Sequence, residues 1–273
     1  MTHAHDFLGQ FSPTTRATYG NILEDFRTRI GVEPQEATQE HMLAYTKALN
    51  GQASATVAKK LAGLRSFMTY LGLRGVRADN PMIALRVPKV DRLRSIKYLT
   101  VDQVKELVNS FDESKKGTRD RALISLFLHG LRISEVRGLN VEDYREGNLR
   151  VTGKGDKMRI VPLSPLGQKN LEAYLGWRRT GPLFLSVFRH GDRIEERALR
   201  NIVYAATERV GERMHPHALR HTYATHLMRS GAPLGKVQQV LGHANPATTM
   251  IYSHLDVGDL RSMVEQFDLL RTS

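Results

Sequence analysis

The chain contains no cysteine. Disulfides, thiolate catalysis and cysteine-ligated zinc are therefore excluded, and a reducing cytosol suits such a chain. No apolar run approaches the roughly 20 residues needed to cross a bilayer, so no membrane partner is expected. The N-terminus, MTHAHDFLGQF, lacks a basic stretch followed by a long apolar one and does not read as a signal peptide. There is no internal repeat and no low-complexity tract. Acidic residues are outnumbered, 28 against 40 Lys and Arg, for a net charge of +12. What remains is an ordinary globular composition. With 273 residues, 41% of them hydrophobic, the chain can bury the cores of two domains.

The positive charge is unevenly spread. Residues 1–58 carry four basic and six acidic side chains, and residues 59–97 carry ten and two. The remaining 26 basic and 20 acidic residues lie in 98–273. A basic segment joining two domains can follow a phosphate backbone, so a polyanion partner is expected. Within it, Lys59, Lys60, Arg65, Lys89, Arg92 and Arg94 are the candidate DNA contacts.

The pattern predicts a mainly α-helical chain with a small antiparallel β-sheet. A helical N-terminal domain is expected over 1–88, a basic linker over 89–97, and a mixed α/β (α+β) domain over 98–273. Ser12-Pro13 reads as an N-cap and first helical residue, followed by Tyr19, Ile22, Leu23 and Phe26 at helical spacing. Thr38 caps a second helix, and Val57, Leu61, Leu64, Phe67, Met68 and Leu71 mark a third. Asn80-Pro81 signals a turn into a short final helix. Thr100 and Gln103 form a capping-box pattern at the start of the second domain. An apolar helix over 118–129 stops at Gly130. Residues 143–163 alternate as a small sheet with Gly153-Lys154-Gly155-Asp156 at a hairpin tip. Further helices are expected from Ser164-Pro165 to about Arg179, over about 194–210, and after Pro216, Pro233 and Pro246.

The chemistry concentrates at Arg132, Lys154, His217, Arg220, His243 and Tyr252. His217 and Arg220 are one helical turn apart and can face one cleft. Two guanidiniums can grip a phosphate bidentately and stabilise charge that develops on it. Tyr252 fits a nucleophile, although a tyrosine on an amphipathic helix is more often a core residue. His217 fits a general base or phosphate ligand. Lys154 fits a general acid for the leaving oxygen, against the plain reading of a solvated turn lysine. His243 fits the same site, or a helix-end cap. His215, His217, His221 and His226 lie close in sequence, but without HExxH or cysteine they do not make a zinc pattern. The set suits phosphoryl transfer with no metal and no cofactor.

The strings GLRISEV, TGKGDKMRIVPL, HPHALRHTYATHL, VQQVLGH and TTMIYSH resemble the tyrosine recombinase (phage integrase) family, and within it the Xer-type chromosome-dimer recombinases. The resemblance covers nearly the whole chain. It implies the six residues above as the catalytic set, with Tyr252 as nucleophile, and Glu135 as an acidic residue that orients its neighbours. It implies a core-binding N-terminal domain that clamps DNA opposite the catalytic domain. Leu260, Met263, Val264, Phe267 and Leu270 mark an apolar stripe on a C-terminal helix that by periodicity packs on its own domain, whereas the resemblance implies that this segment docks into a neighbouring protomer.

The implied reaction is a metal-independent, site-specific DNA cutting and rejoining through a 3′-phosphotyrosyl intermediate and a Holliday junction. Four protomers, identical or paired with a related recombinase, would act on two inverted-repeat sites in the cytoplasm, at the nucleoid. Chromosome dimer resolution and movement of a mobile element are both open roles. A type IB topoisomerase or a non-catalytic DNA-binding protein are the rival readings.

Overall fold

A computed structural model describes residues 2–83, 85, 87, 97–153, 157–186, 191–242, 257–266 and 269; of residues 2 and 257–260 it describes the backbone only. The chain divides into two compact units, residues 1–94 and 95–273. Of the expected linker, 89–97, only Lys97 is among the described residues; Lys89, Arg92 and Arg94 lie outside them.

Among its described residues the first unit has four α-helices, α1 (Thr2–Gly9), α2 (Pro13–Ile30), α3 (Gln39–Ala48) and α4 (Ser54–Leu73). Helix α2 begins at the Ser12-Pro13 signal and ends at Gly31, whose φ of +76° suits the left-handed cap position. Thr38 accepts the N–H of His41, and the His41 ring accepts the N–H of Thr38, which closes a capping box. The core collects the predicted stripe, with Leu61, Leu64, Phe67 and Leu71 of α4 against Phe26 of α2 and Tyr45 of α3. Helices α2 and α4 approach closely at Gly63, where an added Cβ would sit 2.7 Å from Ile22 Cδ1. The structure differs from expectation at two places. Helix α1 had no sequence signal, yet Phe7 packs against Phe11, Tyr19, Phe67 and Tyr70. Residues 81–83 form a turn and not a helix.

The second unit opens with α5 (Val101–Asn109), where Thr100 and Gln103 form the expected capping box. Helix α6 (Lys115–Phe127) is buried from Ala122 to Phe127 without a break, as its continuous apolar run requires. The short α7 (Ile133–Gly138) follows. Strands β1 (Tyr144–Arg145), β2 (Asn148–Thr152) and β3 (Met158–Pro162) form one antiparallel sheet in that order. The β1–β2 turn is Glu146-Gly147, with φ of +48° and +75°, the left-handed pair a two-residue hairpin needs.

Helices α8 (Pro165–Leu175), α9 (Glu196–Glu208), α10 (Pro216–Arg229) and α11 (Leu234–Leu241) complete the core, and α12 (Val257–Gln266) packs on β3. His129 is buried and ties the end of α6 to Ser164, the N-cap of α8. Its Nδ1 meets Ser125 O at 2.7 Å, and its Nε2 accepts the Ser164 N–H at 3.0 Å. That pairing sets the neutral tautomer with the proton on Nδ1. Among the described residues no helix is long and apolar enough to cross a membrane.

Candidate active site

The site is built where α6, α7, β3, α10 and α11 converge. Helix α6 ends at Gly130, whose φ is +81°. A side chain there would put a Cβ 2.6 Å from Leu241 Cδ2 and 3.0 Å from Tyr223 Cδ1, so only glycine lets the turn pass between α10 and α11. Arg132 then takes the N-cap position of α7. Glu135 accepts its backbone N–H at 2.7 Å and its Nη1 at 2.8 Å. One carboxylate thus caps the helix and fixes the guanidinium.

Glu135 has a second guanidinium partner that the sequence reading did not single out. Arg159 of β3 binds it bidentately, Nη1 to Oε1 at 2.8 Å and Nη2 to Oε2 at 2.9 Å. Burial by itself would raise the Glu135 carboxyl, but the bonds from Arg159 and Arg132 hold it down to about 2. A signal for Arg159 was present. It pairs with Val151 across the sheet and shares a face with buried Val161, while Met158 on the other face is 69% exposed. A charge at an inward strand position needs a buried partner.

Arg220 lies one turn into α10 and is 2% exposed. Its guanidinium donates to the carbonyls of Gly130 and Leu241. Among the described residues it has no carboxylate partner. Burial first, and Arg132 second, push it down to about 10, so it stays cationic at neutral pH. His217 precedes it near the N-terminus of α10, behind the N-cap His215 and Pro216. Its ring keeps an exposed edge and stands 4.4 Å, edge to face, from His221. Partial burial, His221, Arg220, His215 and Arg132 lower it to about 4. His217 is therefore neutral at pH 7.

Three arginines meet the end of α11 in register. Arg159 Nε donates to the Val240 carbonyl at 3.1 Å, Arg220 Nη2 to that of Leu241, and Arg132 Nη2 to that of Gly242 at 3.0 Å. These are carbonyls that a helix end leaves without an internal partner, and cations suit that end. Local charge adds to three guanidiniums against one carboxylate, a surplus that fits an anion such as a phosphodiester.

The structure therefore brings together Arg132, Glu135, His217 and Arg220. Lys154, His243 and Tyr252 lie outside the described residues, although their neighbours are placed. Gly153 sits beside the site, where an added Cβ would be 3.7 Å from Arg159 Nη1 and 3.8 Å from Glu135 Oε1. Gly242, next to His243, carries the carbonyl held by Arg132. Of the candidate DNA contacts, Lys59 is exposed on α4. Lys60 and Arg65 differ from the expectation of a free basic face. Lys60 pairs with Asp25 at 2.9 Å, and Arg65 donates to the Met82 and Leu85 carbonyls. Their long stems let both head groups reach acceptors within their own unit.

The family model for the phage integrase family matches residues 97–258. The tyrosine recombinase XerC of Thermodesulfovibrio yellowstonii is 39% identical over 279 residues, covering 95% of this chain and 90% of that protein. The XerC of Pelobacter propionicus is 37% identical over 272 residues, covering 93% and 89%. In fold, the chain is similar to the Tn1549 transposon integrase in complex with transposon right end DNA. The TM-score is 0.73 at 18% identity, over 97% of this chain and 98% of that one.

Proposed function

This chain belongs to the phage integrase family of tyrosine recombinases, enzymes that cut and rejoin DNA, and on that premise we propose that it is a XerC-like site-specific recombinase with Tyr252 as its nucleophile. The observation that carries the reading is the buried Arg220 beside Arg132, two guanidiniums anchored on adjacent carbonyls, where the one carboxylate at the site among the described residues, Glu135, is shared between Arg132 and Arg159. Such a surplus of buried positive charge is matched by a phosphate.

In the proposed reaction Arg132 and Arg220 hold the non-bridging oxygens of the scissile phosphate. The Tyr252 oxygen forms a bond to phosphorus as the bond to the 5′ oxygen breaks. Neutral His217 accepts the phenol proton, and Lys154 gives a proton to the leaving 5′ oxygen. His243 adds a further hydrogen bond to the phosphate. Glu135 orients Arg132. The product is a 3′-phosphotyrosyl ester and a free 5′-hydroxyl, and a 5′-hydroxyl from a second duplex reverses the step. Four protomers, alike or mixed with a related recombinase, exchange strands between two inverted-repeat sites through a Holliday junction. The host role is chromosome dimer resolution or movement of a mobile element, and the place is the cytoplasm at the nucleoid. Residues 1–88 bind the DNA, and Lys59, Lys89, Arg92 and Arg94 contact its backbone.

The test is covalent trapping. The native protein should give a protein–DNA adduct on a denaturing gel, with or without EDTA, and Tyr252→Phe should bind the same DNA and give none. An adduct from the Phe variant removes Tyr252 from its role. Relaxation of supercoils with no site preference and no exchange between two sites would favour a topoisomerase. Binding without any adduct from the native protein would favour a non-catalytic DNA-binding protein.

A further inference from the structure

We propose that Arg159 is a positioning residue that ties the hairpin carrying Lys154 to the helix end that precedes His243, with Glu135 as the shared anchor. The inference rests on the catalytic roles proposed above for Lys154 and His243. Each of three Arg159 nitrogens has one acceptor. Nη1 and Nη2 take the two oxygens of Glu135, and Nε takes the carbonyl of Val240. The side chain is 13% exposed, so its fork is turned to Glu135 and not to a substrate phosphate. Arg159 acts through its neighbours.

Both flanks touch this pair. On the hairpin side, Gly153 lies at ordinary contact distance from Arg159 Nη1 and Glu135 Oε1 and donates its N–H to Lys157 O at 2.8 Å. On the helix side, Gly242 has φ of +63°, and an added Cβ would lie 2.9 Å from Arg159 Cδ and Nε. The missing side chain at Gly242 lets the backbone close on the guanidinium. The fork between guanidinium and carboxylate is planar and directional, so it passes displacement from the hairpin to α7 and α11. A lysine would keep the charge but could not hold two carboxylate oxygens and a carbonyl at once.

The test compares full-length Arg159→Met, Arg159→Lys, Lys154→Ala and the Lys154→Ala/Arg159→Met double variant. Each is given site DNA with either an ordinary phosphate or a 5′-bridging phosphorothiolate, whose sulfur leaves without a proton. We expect Arg159→Met to bind DNA like the native protein and to cleave the ordinary ester about a hundredfold more slowly, the scale of a displacement of about 1 Å. The phosphorothiolate should recover most of that loss. Arg159→Lys should fall between native and Met. The double variant should be no slower on the ordinary ester than Lys154→Ala alone. Equal defects of Arg159→Met on both substrates, or additive losses in the double variant, overturn the proposal. So does failure of both Arg159 variants to fold, since Arg159 would then be a structural brace. Equal defects of Lys154→Ala itself on both substrates would instead remove the acid role of Lys154, a separate failure.

Discussion

Arg132 meets Glu135 twice, through its backbone N–H at 2.7 Å and its Nη1 at 2.8 Å, so helix capping and guanidinium aim depend on the same carboxylate. Glu135→Gln keeps the shape and removes the charge. An amide can accept with only one of its two ends, and its NH₂ faces a guanidinium. We expect about a hundredfold slower cleavage with near-native DNA binding, measured by adduct formation over time.

The same substitution changes acid stability. The Glu135 carboxyl is held down to about 2 in the fold, against about 4.3 when exposed. Its contribution is therefore present above about pH 4.3 and fades as pH falls toward about 2. Because the group is buried, this amounts to roughly 3 kcal/mol. Urea midpoints of the native protein should fall across that window, and those of Glu135→Gln should fall less steeply. Parallel curves would contradict the assignment.

His217 should titrate low in the absence of DNA. Partial burial and the neighbouring histidines and arginines lower it to about 4. The neutral form is thus favoured in the fold, and the stability this brings is present above about pH 6.5 and lost as pH falls through about 4. Ring-proton chemical shifts should show His217 neutral at pH 6. A bound phosphodiester supplies a negative charge and should raise the value. An ordinary His217 titration near 6.5 in the free protein would count against its role as a ready base.

Two adjacent lysines on α4 should behave differently. Lys60 pairs with Asp25, which also accepts from Tyr45 at 2.6 Å and from Arg29 at 3.0 Å. Lys60→Met should lower the melting temperature of the first unit by a few degrees, from a loss of about 1 kcal/mol. Lys59→Met should leave melting unchanged and reduce the salt dependence of DNA affinity by about one counterion. The reverse pattern would show that Lys60 is the DNA contact.

Helix α12 sits on its own unit. Met263 and Val264 are buried, and Arg261 donates to the Glu146 carbonyl at 2.6 Å across the β1–β2 turn. Phe267 and Leu270 of the expected stripe lie outside the described residues. Truncation after Val257 should expose this face and lower stability by a few kcal/mol, from two lost apolar side chains. Single-site DNA binding should persist, while cooperative assembly on paired sites and strand exchange should fail. A truncated protein that sediments as the four-protomer complex and recombines would limit the helix to a brace within one protomer.

Where sequence and structure agree, the signal was local. Thr100 with Gln103, Thr38, and Pro216 after His215 each name a helix start through bonds made within four residues. Arg132 was legible because a charge at an apolar helix end needs a reason, and His217 and Arg220 because their residue types fall one helical turn apart. Arg159 was missed because its reason lies 24 residues away, at Glu135, and 81 residues away, at Val240. Helix α1 was missed because its stability comes from Phe7 meeting Phe67 and Tyr70, not from its own periodicity. Lys60 and Arg65 looked free because a sequence shows a basic face but not the carboxylate or carbonyls folded against it.

Leu99 has a longer reach than any of these. Its N–H is taken by Thr222 across 123 residues, and its carbonyl by His226 across 127. Both partners sit on α10, the helix of His217 and Arg220. During synthesis the second unit therefore cannot close its first segment until α10 has left the ribosome. The first unit waits less: among its described residues hydrogen bonds span at most 42 residues, as at Arg77 with Gln35, and its ring contacts reach only from Phe7 to Tyr70. Long loops must close before such contacts reward the chain, so the second unit should be the slower to mature. On the roles proposed for His217 and Arg220, cleavage competence then arrives late, after the helices of the first unit are already in place.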